Sequence, residues 1–333
     1  MTDLPKIKPG LKINRYLIIA AVLLFTGSQT AAEVVRLQLQ WYPQAQFAGY
    51  IMAVEKGIYR EKGLTVELLF AEGSGSSLQK VSEGDAEFCT AWLSQALTLT
   101  GEKALVNICQ VLQKSSLLLV AKAGRGIYQP EDLNGRRIGL WSGDFSIQPA
   151  AFFRKFNLNY EHIEQSYNIY GFLDDAWDVA SVMYYNEYYR IIQSGIDENE
   201  LVHFFFADYD LNFPEDGIYC RLDYLQNNTQ TCRDFVAASL EGWQYAELHP
   251  EETVDVIIQY AAEYHLQTNY NHQQWMLKRI LESVRFGTGV EAAGLGRLKE
   301  EDYYRVAREL QLQGLLPEYP AFREFYQDTI NVD

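Results

Sequence analysis

The sequence predicts an α/β protein of two lobes, and three observations carry the prediction. Strand and helix signals alternate through the first two thirds of the chain, the alternation restarts after Ala121, and the last third is mainly helical.

Val35, Leu37, Leu39 and Trp41 alternate with Arg36, Gln38 and Gln40, the period-2 signature of a strand. Phe47, Tyr50, Ile51 and Val54 then recur at helical spacing, and Gly57 supplies a stop. A second strand, Thr65 to Phe70, follows Gly63, so the segment reads as one βαβ unit, in which ligands bind beyond the carboxyl ends of the strands. Gly84 to Phe88 leads into a short strand ending near Trp92, with a helix from about Ser94. Val106 to Val111 and Ser116 to Ala121 are two further strands.

Beyond Ala121, Pro130 to Trp141 reads as a short helix, a turn and a strand, followed by a helix near Ile147 to Phe156. Glu164 to Tyr170, Val179 to Tyr184 and Val202 to Asp208 are expected strands, with a helix over Glu187 to Gln193. Asn212 to Tyr219 reads as a crossing back. Cys232 to Leu248, Pro250 to Tyr264, His272 to Val284 and Glu301 to Leu310 are the clearest amphipathic helical runs.

The first 32 residues have the layout of a secretory signal peptide: Lys6, Lys8, Lys12 and Arg15, an apolar run from Tyr16 to Phe25, and small residues at Thr30-Ala31-Ala32. The run is short for a bilayer span, and no cysteine follows it as a lipoprotein anchor would need. Cleavage removes four basic and one acidic side chain and moves the formal charge from −16 to −19. So acidic a product is a poor nucleic-acid binder. The remainder is long enough for two lobes, each with its own core.

Cys89, Cys109, Cys220 and Cys232 show no CxxC spacing, which argues against a metal site. Cys89–Cys109 and Cys220–Cys232 are possible disulfides in an oxidising compartment, and four buried thiols are the alternative. The histidines, His162, His203, His249, His265 and His272, are scattered, with no HExxH and no GxSxG elbow. Neither a cofactor nor an enzymatic activity is expected.

Trp41-Tyr42-Pro43-Gln44-Ala45-Gln46-Phe47-Ala48-Gly49-Tyr50, followed by Glu55-Lys56-Gly57-Ile58-Tyr59 and Gly63-Leu64-Thr65-Val66, resembles the substrate-binding proteins of bacterial importers for thiamine-pyrimidine precursors. Val182 to Tyr188, Ala207 to Gly217 and Gly242 to Glu252 carry further likenesses to that family. The resemblance implies a type II periplasmic binding protein: two α/β lobes with a ligand cleft and a two-segment hinge, the crossings near Ala121 and Asp216. Lobe 1 would then comprise 33–121 and 217–333, and lobe 2 122–216. A periplasmic protein that hands a pyrimidine-like ligand to the membrane permease of an ABC importer is the implied function. Fungal enzymes of the same fold make the thiamine pyrimidine with a bound cofactor and an active-site histidine. Their cysteine-rich run is absent here, and Gln44 to Phe47 occupies the place of that histidine. A periplasmic ligand sensor is a further alternative, although the tail after Leu316-Pro317 is too short for a transmembrane output domain.

Candidate ligand contacts follow the strand ends. Trp41 offers a flat face to a ring, and Gln44, Gln46 and Phe47 follow on the loop and first helical turn, where amides read ring nitrogens or cap the helix. Ser74, in Glu72-Gly73-Ser74-Gly75, lies in a loop of exposed N–H groups that holds an oxygen or serves as a plain turn. Trp92 and Trp141, with nearby Asp144, follow strands on either side of the expected cleft. Tyr184-Tyr185-Asn186-Glu187 is the most suggestive cluster, since a carboxylate beside an amide pairs with the ring nitrogen and amino group of an aminopyrimidine. Glu187 also suits a helix first turn on dipole grounds alone. Asp216 lines the hinge or stabilises its turn.

Overall fold

The computed structural model describes residues 33–71, 76–99, 105–285 and 295–330. The expected signal segment and Ser74 lie outside the described residues. Two five-stranded sheets organise the rest. The first joins β1 (Glu33–Gln38), β2 (Leu64–Leu69), β3 (Phe88–Ala91), β4 (Leu105–Gln110) and β10 (Gly217–Arg221) in the order β2-β1-β3-β10-β4. The second joins β5 (Leu117–Lys122), β6 (Arg137–Leu140), β7 (Glu161–Glu164), β8 (Val179–Met183) and β9 (Leu201–Phe205) in the order β7-β6-β8-β5-β9.

The two sheets repeat one plan. Three parallel strands lie together, as β2-β1-β3 and as β7-β6-β8, and the next strand runs antiparallel to them. That strand is in each case the one entered directly from the other sheet: β5 after β4, and β10 after β9. Each arriving strand is thus laid inside its new sheet, between the parallel strands and an edge strand antiparallel to it, β4 or β9.

This plan corrects the boundary expected near Ala121. Leu117–Lys122 pairs with β8 and β9 in the second sheet, so the chain crosses at 111–116. The segment is apolar on both faces, and all of Leu117 to Ala121 is buried, which leaves no alternation to say which sheet it serves. Three further differences concern element ends. The strand expected at Glu164 to Tyr170 lies earlier, at Glu161–Glu164, and Tyr170–Leu173 is a helical turn. The strand expected to reach Asp208 ends at Phe205, where a 3-10 turn begins. Gly217–Arg221, read as a crossing, is a central strand whose first four residues are buried and thus carry no period-2 pattern.

Side chains zip the two crossings together. Glu215 Oε1 accepts from the Ser116 N–H (2.6 Å) and Ser115 Oγ (3.1 Å). Asn212 accepts from the Ser115 N–H (3.0 Å) and donates to the Gln113 carbonyl (2.9 Å).

Helices cover both sheets. α1 (Ala48–Glu55), α2 (Leu93–Thr98) and α3 (Glu187–Gln193) each follow the carboxyl end of a parallel strand, and Phe47, Tyr50 and Ile51 are fully buried at or near the start of α1. The long α4 (Thr229–Leu248) packs across α1, with Trp243 edge-on to Tyr50 at 5.8 Å. α5 (Tyr270–Val284) touches both lobes: Gln273 accepts from the Ala45 N–H (2.8 Å), and the Trp275 indole N–H donates to the Tyr184 carbonyl (3.0 Å). The four cysteines are buried free thiols. Among the described residues no helix is long and apolar enough to cross a membrane.

Candidate functional site

The carboxyl ends of the parallel strands of both sheets point at one place, and a cavity of about 120 Å³ lies there. From the first lobe come Gln40, Trp41, Gln44 and Gln46 after β1, and Trp92 with Gln95 after β3. The second lobe brings Trp141 and Phe145 after β6, Tyr167 after β7, and Met183, Tyr185, Asn186 and Glu187 after β8. Position at strand ends is what the doubly wound topology dictates for a ligand crevice.

Aromatic rings form about half of the wall, and they meet across the lobes. Trp41 stands 5.5 Å from Tyr167, Tyr167 6.3 Å from Trp141, Trp141 5.3 Å from Phe145, and Phe145 4.8 Å from Trp92. The arc begins and ends in lobe 1 and runs through lobe 2 between. The Trp141 indole N–H is fixed by the Ser166 carbonyl at 3.1 Å. Gln95 donates to Asp144 at 2.9 Å, a polar bridge between the lobes outside the ring arc.

The polar groups form two sets. In lobe 1, Gln40 and Gln46 each donate an amide N–H to Asp216, at 2.6 Å to Oδ1 and 2.8 Å to Oδ2. Gln44 in turn donates to Gln46 Oε1 at 2.6 Å. A carboxylate only accepts, so Asp216 fixes both amides with their N–H groups inward, and Gln40 Oε1 is left buried without a partner. Burial pushes the Asp216 carboxyl up to about 6, while Gln46, Gln40 and the Trp92 indole hold it down. In lobe 2, Glu187 begins α3 and is 5 % exposed. Its oxygens accept from the Met183 N–H (3.1 Å) and from Asn186 Nδ2 (2.8 Å). Burial raises its carboxyl, and the Met183 N–H and the Arg190 charge act against that rise.

Seven of the residues singled out in the sequence line the cavity: Trp41, Gln44, Gln46, Trp92, Trp141, Asn186 and Glu187. Asp216 sits behind the wall and acts through the glutamines. Phe47 does not line it, because its ring turns inward at the start of α1 and is fully buried in the core. Tyr184 does not line it either. Adjacent residues leave a strand on opposite sides, so Tyr185 faces the cavity, and Tyr184 packs on Tyr188, Phe205 and Trp275. Asp144 is exposed and reaches the site only through Gln95.

Gln40, Gln95, Phe145, Tyr167 and Met183 were not singled out in the sequence, and Tyr185 entered only as a member of the Tyr184-to-Glu187 cluster. Gln40 belongs to the alternating stretch of the first strand and was counted with its polar face; its place beyond the end of β1 was the available signal. Tyr167 lies in the segment taken for a strand, where no strand end was expected.

A second chamber of about 230 Å³ adjoins the first and shares Trp41, Gln44, Tyr167, Asn186 and Glu187 with it. Arg190, Thr268 and His272 are among its other walls.

The chain resembles known proteins over nearly its whole length. It is 20% identical over 292 residues to the formylaminopyrimidine-binding protein of Halalkalibacterium halodurans, covering 82% of this chain and 86% of that one. The riboflavin-binding protein RibY of Chloroflexus aurantiacus is 25% identical over 306 residues, covering 87% and 84%. Among solved structures, the periplasmic aliphatic sulphonate binding protein SsuA of Escherichia coli superposes with a TM-score of 0.68 at 12% identity, over 90% of this chain and 94% of that one. The last likeness shows the fold, that of the periplasmic binding proteins. The sequence pattern described as "NMT1/THI5 like" matches residues 44–253, well over half of the chain, and spans every cavity-lining position from Gln44 to Glu187; the chain belongs to the NMT1/THI5-like family.

Proposed function

We propose that this chain is an exported solute-binding protein that captures a single-ring heteroaromatic ligand, a thiamine pyrimidine precursor, and delivers it to the permease of an ABC importer. The observation that carries the reading is the cavity: about 120 Å³, walled by an arc of five aromatic rings contributed by both lobes. An apolar protein cavity of about 150 Å³ holds one benzene ring. This cavity thus suits one six-membered ring, and a three-ring flavin needs the arc to open. Stacking adds roughly 0.5–1.5 kcal/mol per favourable ring pair beyond area burial.

Gln40 and Glu187 line the cavity from lobe 1 and lobe 2, and each carries an acceptor, the Gln40 oxygen buried without a partner and the Glu187 carboxylate, which favours a ring bearing amino donors. A relative whose name records formylaminopyrimidine binding supports the same class. The lining groups are amides, rings, the Met183 thioether and one carboxylate, suited to recognition by hinge closure rather than to bond making. The basic start, short apolar run and small residues at 30–32 support export to the periplasm.

Native mass spectrometry of protein purified without refolding tests the ligand class, and a fluorescence titration with hydroxymethylpyrimidine tests the site. The expected result is a carried-over small heterocycle, and quenching of the wall tryptophans with saturable binding. Saturable riboflavin binding with no response to the pyrimidine would overturn the ligand, and chemical conversion of a bound ligand would overturn the transport reading.

A further inference from the structure

The second chamber has a chemistry that the ring cavity lacks. Its wall includes Arg190, on the exposed face of α3, which has no hydrogen-bond or ion-pair partner among the described residues. Acidic residues outnumber basic ones by 16 in this chain, and Arg36, Arg137, Arg154 and Arg279 each hold a carboxylate, whereas the Arg190 side chain is left to the chamber. His272, on α5 and 4 % exposed, also lines the chamber, and its Nε2 is buried with no partner. Burial and the Arg190 charge push the His272 ring down to about 4, so it is neutral at pH 7, and among the described residues Arg190 is the cationic residue of a wall that also carries the Glu187 carboxyl.

Glu187 stands on the partition between the chambers. Its oxygens are engaged by Met183 N–H and Asn186 Nδ2. Arg190 follows Glu187 by three residues on α3, so both lie on one side of that helix, and both line the chamber. A free guanidinium, an unsatisfied imidazole nitrogen and the amide of Gln44 together suit an oxygen-rich anion.

We propose that the chamber lined by Arg190 and His272 is a subsite for an anionic, oxygen-rich substituent, a phosphate monoester, carried by the ligand whose ring occupies the aromatic cavity. The inference rests on the ring reading above, since it is the shared wall that makes one ligand span both spaces. The cavity then sets which ring binds, and the chamber sets what the ring carries.

Calorimetric titration with hydroxymethylpyrimidine and with its monophosphate, at about 50 mM salt, separates the two readings. The monophosphate is expected to bind about tenfold more tightly, the value for one partly exposed charge-assisted contact. Arg190→Gln should abolish most of that ratio, and Arg190→Lys should keep part of it. Arg190 is exposed, and thermal melts check that the variants stay folded. If the unphosphorylated pyrimidine binds as well as its monophosphate, or if Arg190→Gln leaves the ratio unchanged, the subsite is overturned while the ring reading stands. Binding of neither pyrimidine overturns both. Inorganic phosphate saturating the protein as tightly as the monophosphate would make this a free-anion site and overturn the shared-ligand proposal.

Discussion

Asp216→Asn reverses the hydrogen-bond polarity of one cavity wall at little cost to the fold. In the native site both Asp216 oxygens accept, from Gln40 at 2.6 Å and from Gln46 at 2.8 Å. Asparagine offers one acceptor and one N–H group, so one glutamine meets a donor with a donor. If Gln46 turns its amide over, its N–H group faces that of Gln44, which now donates to Gln46 Oε1 at 2.6 Å, and the mismatch is only passed on. Gln40 can turn over freely, because its Oε1 has no partner. The buried Gln40 site behind the wall then carries an N–H where it carried an oxygen, and a ligand donor that reaches it meets a donor.

The energies make this outcome the expected one. The rise of the Asp216 carboxyl from 3.8 to about 6 already counts its hydrogen bonds and corresponds to roughly 3 kcal/mol against the charged form. Asparagine relieves that term, and a buried mismatched donor costs about 1–3 kcal/mol. The sum is near zero, so the melting temperature should move by no more than about 4 °C. A ligand donor facing Gln40 instead loses an acceptor, roughly a five- to hundredfold loss of affinity for hydroxymethylpyrimidine. Calorimetry and thermal melts on the same preparations decide it. Affinity within twofold of the parent protein, or a fall in melting temperature beyond about 10 °C, would refute the wall argument and leave Asp216 a structural residue of the hinge turn.

Glu187→Gln tests the opposite wall: loss of a charge-assisted contact to a ligand amino group should weaken binding about ten- to a hundredfold, and unchanged calorimetric affinity would leave Glu187 only its local bonds to Met183 and Asn186. Glu215 governs pH dependence at the hinge. Burial and then the Asp216 charge push its carboxyl from 4.5 up to about 8, so the folded protein holds a proton that the unfolded chain has lost. Stability should therefore fall as pH rises from about 6.5 to 8.5, by up to ~2 kcal/mol, and Glu215→Gln should flatten the slope of urea unfolding midpoints against pH. Gly242→Ala should destabilise lobe 1 by about 1–3 kcal/mol or more in urea melts, because the added Cβ falls 2.1 Å from the Gly49 carbonyl oxygen where α4 crosses α1. A melt like that of the parent protein would show that the two helices can separate.

Local pattern located most of the helices and strands, but not the strand Gly217–Arg221 or the helical turn Tyr170–Leu173. The helix expected over Glu187 to Gln193 spans those residues, and the helical runs of the last third differ from the structure only at their ends. These elements are amphipathic or sit beside turn residues, so local sequence states their exposure. The placement of Trp41, Trp92, Trp141 and Glu187 just past strand ends was legible for the same reason. What the tertiary structure decided is everything that depends on two distant segments meeting. Leu117–Lys122 and Gly217–Arg221 are buried on both faces, so nothing in their sequence says which sheet they close. Tyr184 and Tyr185 are alike in composition, and only the end of β8 turns one to the cavity and the other to Trp275. Gln40 became an acceptor because Asp216, 176 positions away, takes its N–H group. Phe145 and Tyr167 became part of the ring arc because lobe 2 lies across from lobe 1. Local patterning sets each element's exposed face, whereas the site is made of the gaps between elements, and those gaps exist only once the lobes have packed.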